Sequence, residues 1–101
     1  MEKFKDIKQF DECNKFCTIY GEKYTPYTFL MITPSNPSYI YALNELTKEA
    51  ERMYIPLLTD DRVGKRVFVG ETDWKVVYET QMEYHTSCIN YLLKKIAACK
   101  K

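Results

Sequence analysis

The chain has 101 residues, of which 46% are hydrophobic and 29% are charged, and its formal net charge is +1. This length predicts one globular domain spanning residues 1–101, with a single core. The fifteen basic and fourteen acidic side chains are interspersed, which argues against a nucleic-acid-binding function, and no run approaches the roughly eighteen apolar residues of a membrane span.

The first residues show no targeting signal. Residues 1–8 lack the apolar run of a secretory signal and the arginine-rich character of a transit peptide. We therefore expect a cytoplasmic protein. In that compartment the four cysteines are expected to be reduced thiols or metal ligands, not disulfides.

The first predicted element is a helix over residues 2–20, ended by Gly21. Its apolar side chains recur at helical spacing along one face. They are Phe4, Ile7, Phe10, Cys13, Cys17 and Tyr20. The apolar run at 27–33 is rich in aromatic and branched residues, which predicts a central strand covered on both faces.

A second helix is predicted over residues 37–53. Pro34 ends the central strand, Ser35 or Asn36 can cap the helix, and Pro37 suits the first helical position. After this helix, residues 55–58 and 66–70 are predicted to be two short strands, joined in a hairpin by the polar turn at 60–65.

The last thirty residues carry the clearest pattern in the chain, an apolar stripe at alternating spacings of four and three along one helix. Its members are Tyr78, Met82, His85, Ile89, Leu92, Ile96 and Cys99. Thr72 or Asp73 can cap this helix. Residues 74–78 leave an alternative open, because their β-branched and aromatic side chains also suit a strand.

Together these elements predict an α+β (mixed α/β) fold. It has a small three-stranded sheet with a right-handed β-α-β crossover and a hairpin, packed by three helices, of which the C-terminal one is long.

Two pairs of side chains suggest a metal site. Cys13 and Cys17 are four residues apart on the first predicted helix, and His85 and Cys88 are three apart on the last. If the two helices packed side by side, three Cys and one His would form an accepted tetrahedral zinc set. The alternative is that the cysteines fill a helix-helix contact and that the protein has no cofactor.

A ligand site is a second hypothesis. Ser35, Asn36 and Ser38, with Arg62, would surround the N-terminus of the second predicted helix, where backbone N–H groups suit an anion. Ser35-Asn36-Pro37-Ser38 also resembles the position of the Cys-x-Pro-Cys motif in thioredoxins. The resemblance implies a shortened thioredoxin-like domain without thiol chemistry, since serines cannot exchange disulfides.

The preferred interpretation is a non-enzymatic protein-protein interaction domain with a regulatory or inhibitory role. No nucleophile-base set is evident in the sequence, and tyrosine, of which there are nine, is common at interfaces. We predict that the chain binds a protein partner or forms a homodimer through its C-terminal helix. The predicted interface residues are Tyr78, Met82, Ile89, Leu92 and Ile96. The alternative remains a small ligand-binding or enzymatic α/β domain with the anion site at Ser35–Ser38.

Overall fold

The computed structural model of the protein describes residues 1–58 and 65–99, which form one antiparallel sheet and three helices. The strands are β1 (Glu2–Lys3), β2 (Lys15–Tyr20), β3 (Lys23–Ile32), β4 (Tyr39–Asn44), β5 (Glu49–Tyr54) and β6 (Lys65–Val69). The helices are α1 (Lys8–Cys13), α2 (Ile55–Leu58) and α3 (Trp74–Ala98).

The sheet has six strands in the order β1-β6-β2-β3-β4-β5, and every neighbouring pair is antiparallel. The α+β class is confirmed. The predicted three-stranded sheet with a β-α-β crossover is wrong, because a crossover of that kind joins parallel strands.

The predicted helix over residues 2–20 is wrong. The segment contains β1, the short helix α1 and β2, and Asn14 ends α1 with a left-handed φ of 57°. Four consecutive residues of β2 are buried, from Phe16 to Ile19. Burial on both faces suits an internal strand, and β2 is internal because it pairs with β3 on one side and β6 on the other.

The predicted second helix over 37–53 is also wrong, since this segment forms the hairpin of β4 and β5. Asn44 organises its turn by accepting hydrogen bonds at Oδ1 from the backbone N–H groups of Leu46 (2.9 Å) and Thr47 (3.2 Å). Lys48 completes the turn with a left-handed φ of 62°. The side chain-backbone bonds of Asn44 give the chain an alternative to helix.

The predicted hairpin of residues 55–58 and 66–70 is wrong as well. Residues 55–58 form α2, and the strand β6 pairs with β2 and β1 instead. Most of the polar turn predicted between them, at 60–64, lies outside the described residues.

The main core lies on one face of the sheet, under α1 and α2. Phe10, the buried residue of α1, has its ring centroid 4.8 Å from that of Phe4 and 4.9 Å from those of Phe16 and Phe29. The buried members of this core are Phe4, Phe10, Phe16, Tyr27, Ile40, Ala42, Leu58, Val67 and Val69.

The predicted long C-terminal helix is confirmed as α3. Asp73 caps it, since its Oδ1 accepts a hydrogen bond from the backbone N–H of Lys75 at 3.0 Å, and residues 74–78 are therefore helical. The helix contacts β2. Cys17 and Ile19 are buried on the face of β2 opposite to Phe16, because side chains alternate along a strand. The helix thus covers part of the sheet face that the main core leaves free.

Candidate functional site

The helix α3 is attached to the sheet through a small part of its surface. It has 25 residues, about 37 Å at 1.5 Å per residue, and Val77 alone among them is buried. The longest dimension of the molecule is 59 Å. Most of the helix surface is therefore free of contact with the rest of the described chain.

The hairpin loop between β2 and β3 contacts the middle of this helix. Tyr20 pairs with Lys23, so Gly21 and Glu22 form a two-residue loop, and the positive φ of 61° at Gly21 alone fits a type II′ turn. A Cβ at Gly21 would lie 3.4 Å from the ring of Tyr84. The loop therefore favours glycine because of its backbone conformation, whereas a Cβ at this position would make an ordinary van der Waals contact with Tyr84.

Two polar contacts join the same loop to α3. Gln81 Nε2 donates a hydrogen bond to the backbone carbonyl of Glu22 at 2.8 Å. His85 Nε2 lies 2.9 Å from Glu22 Oε1, which makes an ion pair when the imidazole is protonated. Both side chains of that pair are at least half exposed, so its energetic contribution is modest. These contacts orient the helix on the sheet.

An aromatic cluster holds the start of α3. The ring centroid of Trp74 lies 5.1 Å from that of Tyr24 on β3 and 5.9 Å from that of Tyr78. The Tyr24 hydroxyl is 2.7 Å from Thr72 Oγ1, just before the helix. Trp74 remains 52% exposed, so the cluster extends from the sheet onto the open surface of the helix.

The five predicted interface residues all lie on that open surface, and we call them the α3 stripe. They are Tyr78, Met82, Ile89, Leu92 and Ile96. Each is 57% to 62% exposed. At 3.6 residues per turn, their mean direction is roughly 100° around the helix axis from Val77. The stripe therefore lies to the side of Val77, next to His85, which contacts Glu22.

The four side chains of the predicted zinc site are not brought together. Cys13 ends α1 and Cys17 is on β2, so the helix that was expected to carry both does not exist. Cys13 Sγ donates to the backbone carbonyl of Gln9 at 3.1 Å, while His85 contacts Glu22 and Cys88 lies on α3. Within residues 1–58 and 65–99, no three His, Cys, Asp or Glu side chains are grouped so that they could hold a metal ion.

The predicted anion site has lost the helix on which it depended. Residues 33–38 connect β3 to β4, and within them Asn36 Oδ1 accepts a hydrogen bond from the N–H of Ser38 at 3.1 Å. Because a strand follows instead of a helix, Ser35, Asn36 and Ser38 surround no helix N-terminus, and Arg62 lies outside the described residues. The antiparallel order is likewise inconsistent with the thioredoxin-like alternative.

A cavity that the sequence did not indicate lies beside α2 and β5. It has a volume of about 510 Å³ and is lined by Tyr20, Tyr27, Glu51, Arg52, Met53, Tyr54, Leu57, Leu58 and Lys65. Burial, and after it the neighbouring Glu51 carboxylate, raises the pKa of Tyr27. Glu51 Oε2 also accepts a hydrogen bond from Asn44 Nδ2 at 2.8 Å. The residues that line the cavity come from separate segments between residues 20 and 65, so only the pairing of the strands could reveal the cavity.

Comparisons of this chain with protein-family models, with curated proteins and with solved structures found no match in any of the three. Among the helices in residues 1–58 and 65–99, none has the length and apolar character needed to cross a membrane.

Proposed function

We propose that this protein is a non-enzymatic protein-protein interaction domain that self-associates through the α3 stripe. One observation supports the proposal above the others. Five large apolar side chains lie along one side of a helix in which Val77 alone is buried, and each of the five remains more than half exposed.

The physical argument is the cost of leaving this surface in water. Burying apolar surface contributes about 25 cal/mol per Å², and contiguous exposed patches of a few hundred Å² usually mark interaction sites. The α3 stripe extends over nineteen residues of one helix. A partner that covered it would gain this free energy while Val77 stays buried.

The direct test is the molar mass of the protein by size-exclusion chromatography with light scattering, over a series of concentrations. We expect the wild-type chain to be a dimer that dissociates on dilution. Leu92→Glu places a charge in the stripe and should give a monomer. Leu92 is 57% exposed, so the fold of a single chain should tolerate the change.

Tyr91→Glu is the matched control. Tyr91 is the neighbouring residue and is equally exposed, at 58%, but it lies roughly 100° from Leu92 on the side away from the stripe. Both variants add the same charge to the same turn of the helix. Tyr91→Glu also removes the ring whose centroid lies 5.3 Å from Lys95 Nζ, so the circular dichroism spectrum of each variant checks that the helix is retained. A Leu92→Glu protein that remains dimeric with an unchanged circular dichroism spectrum would refute the proposal. A wild-type chain that is monomeric at every concentration would refute it too.

A further inference from the structure

We propose that the two α3 helices of the dimer lie antiparallel, related by a twofold axis at the level of Ser87. This inference rests on the proposed function, since it requires that the α3 stripe binds a second copy of the chain.

The positions of the stripe residues match this symmetry. Tyr78 precedes Ser87 by as many residues as Ile96 follows it, and the same holds for Met82 and Leu92. An antiparallel pair centred at this level therefore places Tyr78 against Ile96 of the second copy and Met82 against Leu92 of the second copy. The alternating spacings of four and three are those of a coiled-coil seam, in which such layers interdigitate.

His85 and Ile89 form the two central layers of the same pair, because they are also equidistant from Ser87. His85 Nε2 is held by Glu22 within its own chain. The imidazole can therefore contribute its apolar edge to the seam while its polar atom keeps a partner.

The charges on α3 favour the antiparallel orientation. Its first half carries two acids, Glu79 and Glu83, and one lysine, Lys75, whose Nζ lies 3.9 Å from Glu79 Oε1, whereas its last turns carry Lys94 and Lys95. An antiparallel pair brings the acidic half of one helix to the level of the basic half of the other, and it also opposes the two helix dipoles. A parallel pair would instead bring the two lysine-bearing ends to the same level. The antiparallel pair further puts the two sheets at opposite ends of the seam.

The area is consistent with a dimer of modest affinity. Covering five large side chains that are more than half exposed, on both copies, removes about 1,000 Å² of surface, at the low end for specific protein interfaces. We therefore expect a dimer that dissociates on dilution, which light scattering over a series of concentrations would detect.

The orientation can be tested by measuring distances between spin labels on the two copies. Cys13, Cys88 and Cys99 are replaced by Ser in the full chain, while Cys17 is kept because it is only 3% exposed. Single label sites are then introduced at Thr86→Cys or Lys75→Cys, both of which are exposed and outside the stripe. Light scattering on each labelled protein verifies that the dimer is retained.

In the antiparallel pair, the two labels at Thr86 are separated by about 3 Å along the helix axis, and those at Lys75 by about 36 Å, at 1.5 Å per residue. A short distance at Thr86 and a long distance at Lys75 is therefore the expected result. Short distances at both sites would show a parallel dimer and overturn this inference while leaving the proposed function intact. Long distances at both sites would also overturn it, whereas a protein that is monomeric at every concentration would overturn both.

Discussion

Val77→Ala tests how α3 is attached to the sheet. Val77 is fully buried and is the one buried residue among the 25 of α3. Shortening this side chain should loosen the helix from β2 without changing any residue of the α3 stripe. The experiment is best done in the Leu92→Glu background, so that dissociation of a dimer does not contribute to the measured stability.

The expected loss follows from burial and helix propensity. Each buried methyl or methylene group contributes about 0.8 kcal/mol, and the cavity left behind adds to the loss of two such groups. Alanine has a higher helix propensity than valine by about 0.5 kcal/mol, which offsets part of the loss. We therefore expect Val77→Ala to lower the free energy of unfolding by about 1.5 to 2 kcal/mol.

Val76→Ala is the control, because Val76 is the adjacent residue of the same type and is only partly buried. It has the same gain in helix propensity and a smaller loss of buried surface, so we expect it to cost less than about 0.5 kcal/mol. The difference between the two variants isolates the burial of Val77.

Urea unfolding monitored by tryptophan fluorescence and by circular dichroism measures both quantities. Trp74 is the single tryptophan and contacts Tyr24 of the sheet, so its fluorescence reports the attachment of α3. If the helix detaches before the sheet unfolds, the fluorescence transition of Val77→Ala will precede the circular dichroism transition. Equal stabilities for the Val77 and Val76 variants would show that Val77 does not anchor the helix.

Three further predictions concern Gly21 and Cys17. Gly21→Ala should lower the free energy of unfolding by about 1 to 2 kcal/mol, because alanine disfavours a φ of 61°. Gly21→Asn should cost less in the same denaturation assay, since asparagine tolerates this conformation better, and equal losses would contradict the backbone argument. Burial raises the pKa of the Cys17 thiol to about 11. At pH 8 about one molecule in a thousand therefore carries this thiolate. Alkylation at this pH should modify Cys99 first and Cys17 last, and mass spectrometry measures the order. Because the thiol of Cys17 loses its proton less readily in the folded state, its contribution to stability should fall as pH rises from about 9 to 11, and a Cys17→Ser variant should lack that part of the pH dependence.

The parts of the fold that sequence reasoning predicted are those determined by neighbours along the chain. The helix α3 follows from its periodic apolar residues and from the Asp73 cap, both local features. The apolar runs at 27–33 and 66–70 largely coincide with β3 and β6. The many β-branched and aromatic residues in these two runs favour strand.

The wrong predictions share one cause. The apolar residues between 37 and 53 fit helical spacing, and Lys48, Glu49 and Ala50 belong to types with good helix propensity. In the structure, β4 pairs with the preceding strand β3 and with the following strand β5, so hydrogen bonds between strands outweigh the helix propensity of the segment. The first predicted helix fails for the same reason, because β2 pairs with Lys65–Val69.

The predicted sites also depended on whether the helices that carry them form. The zinc and anion sites were predicted from residues placed on helices that do not form, so they lost their geometry together with those helices. The members of the α3 stripe were predicted from spacing within one helix that does form, and all five lie on one exposed surface.

The sequence by itself determined that the last part of the chain is a helix with an apolar stripe, because the period of that stripe depends only on the geometry of one helix. It could not determine which face of the helix contacts the sheet. The structure shows that Val77 is buried and that Gln81 binds the loop at Glu22, 59 residues earlier, while the stripe stays exposed. A hydrophobic pattern identifies which residues favour burial, but the surface that covers them depends on contacts between segments that are distant in the chain.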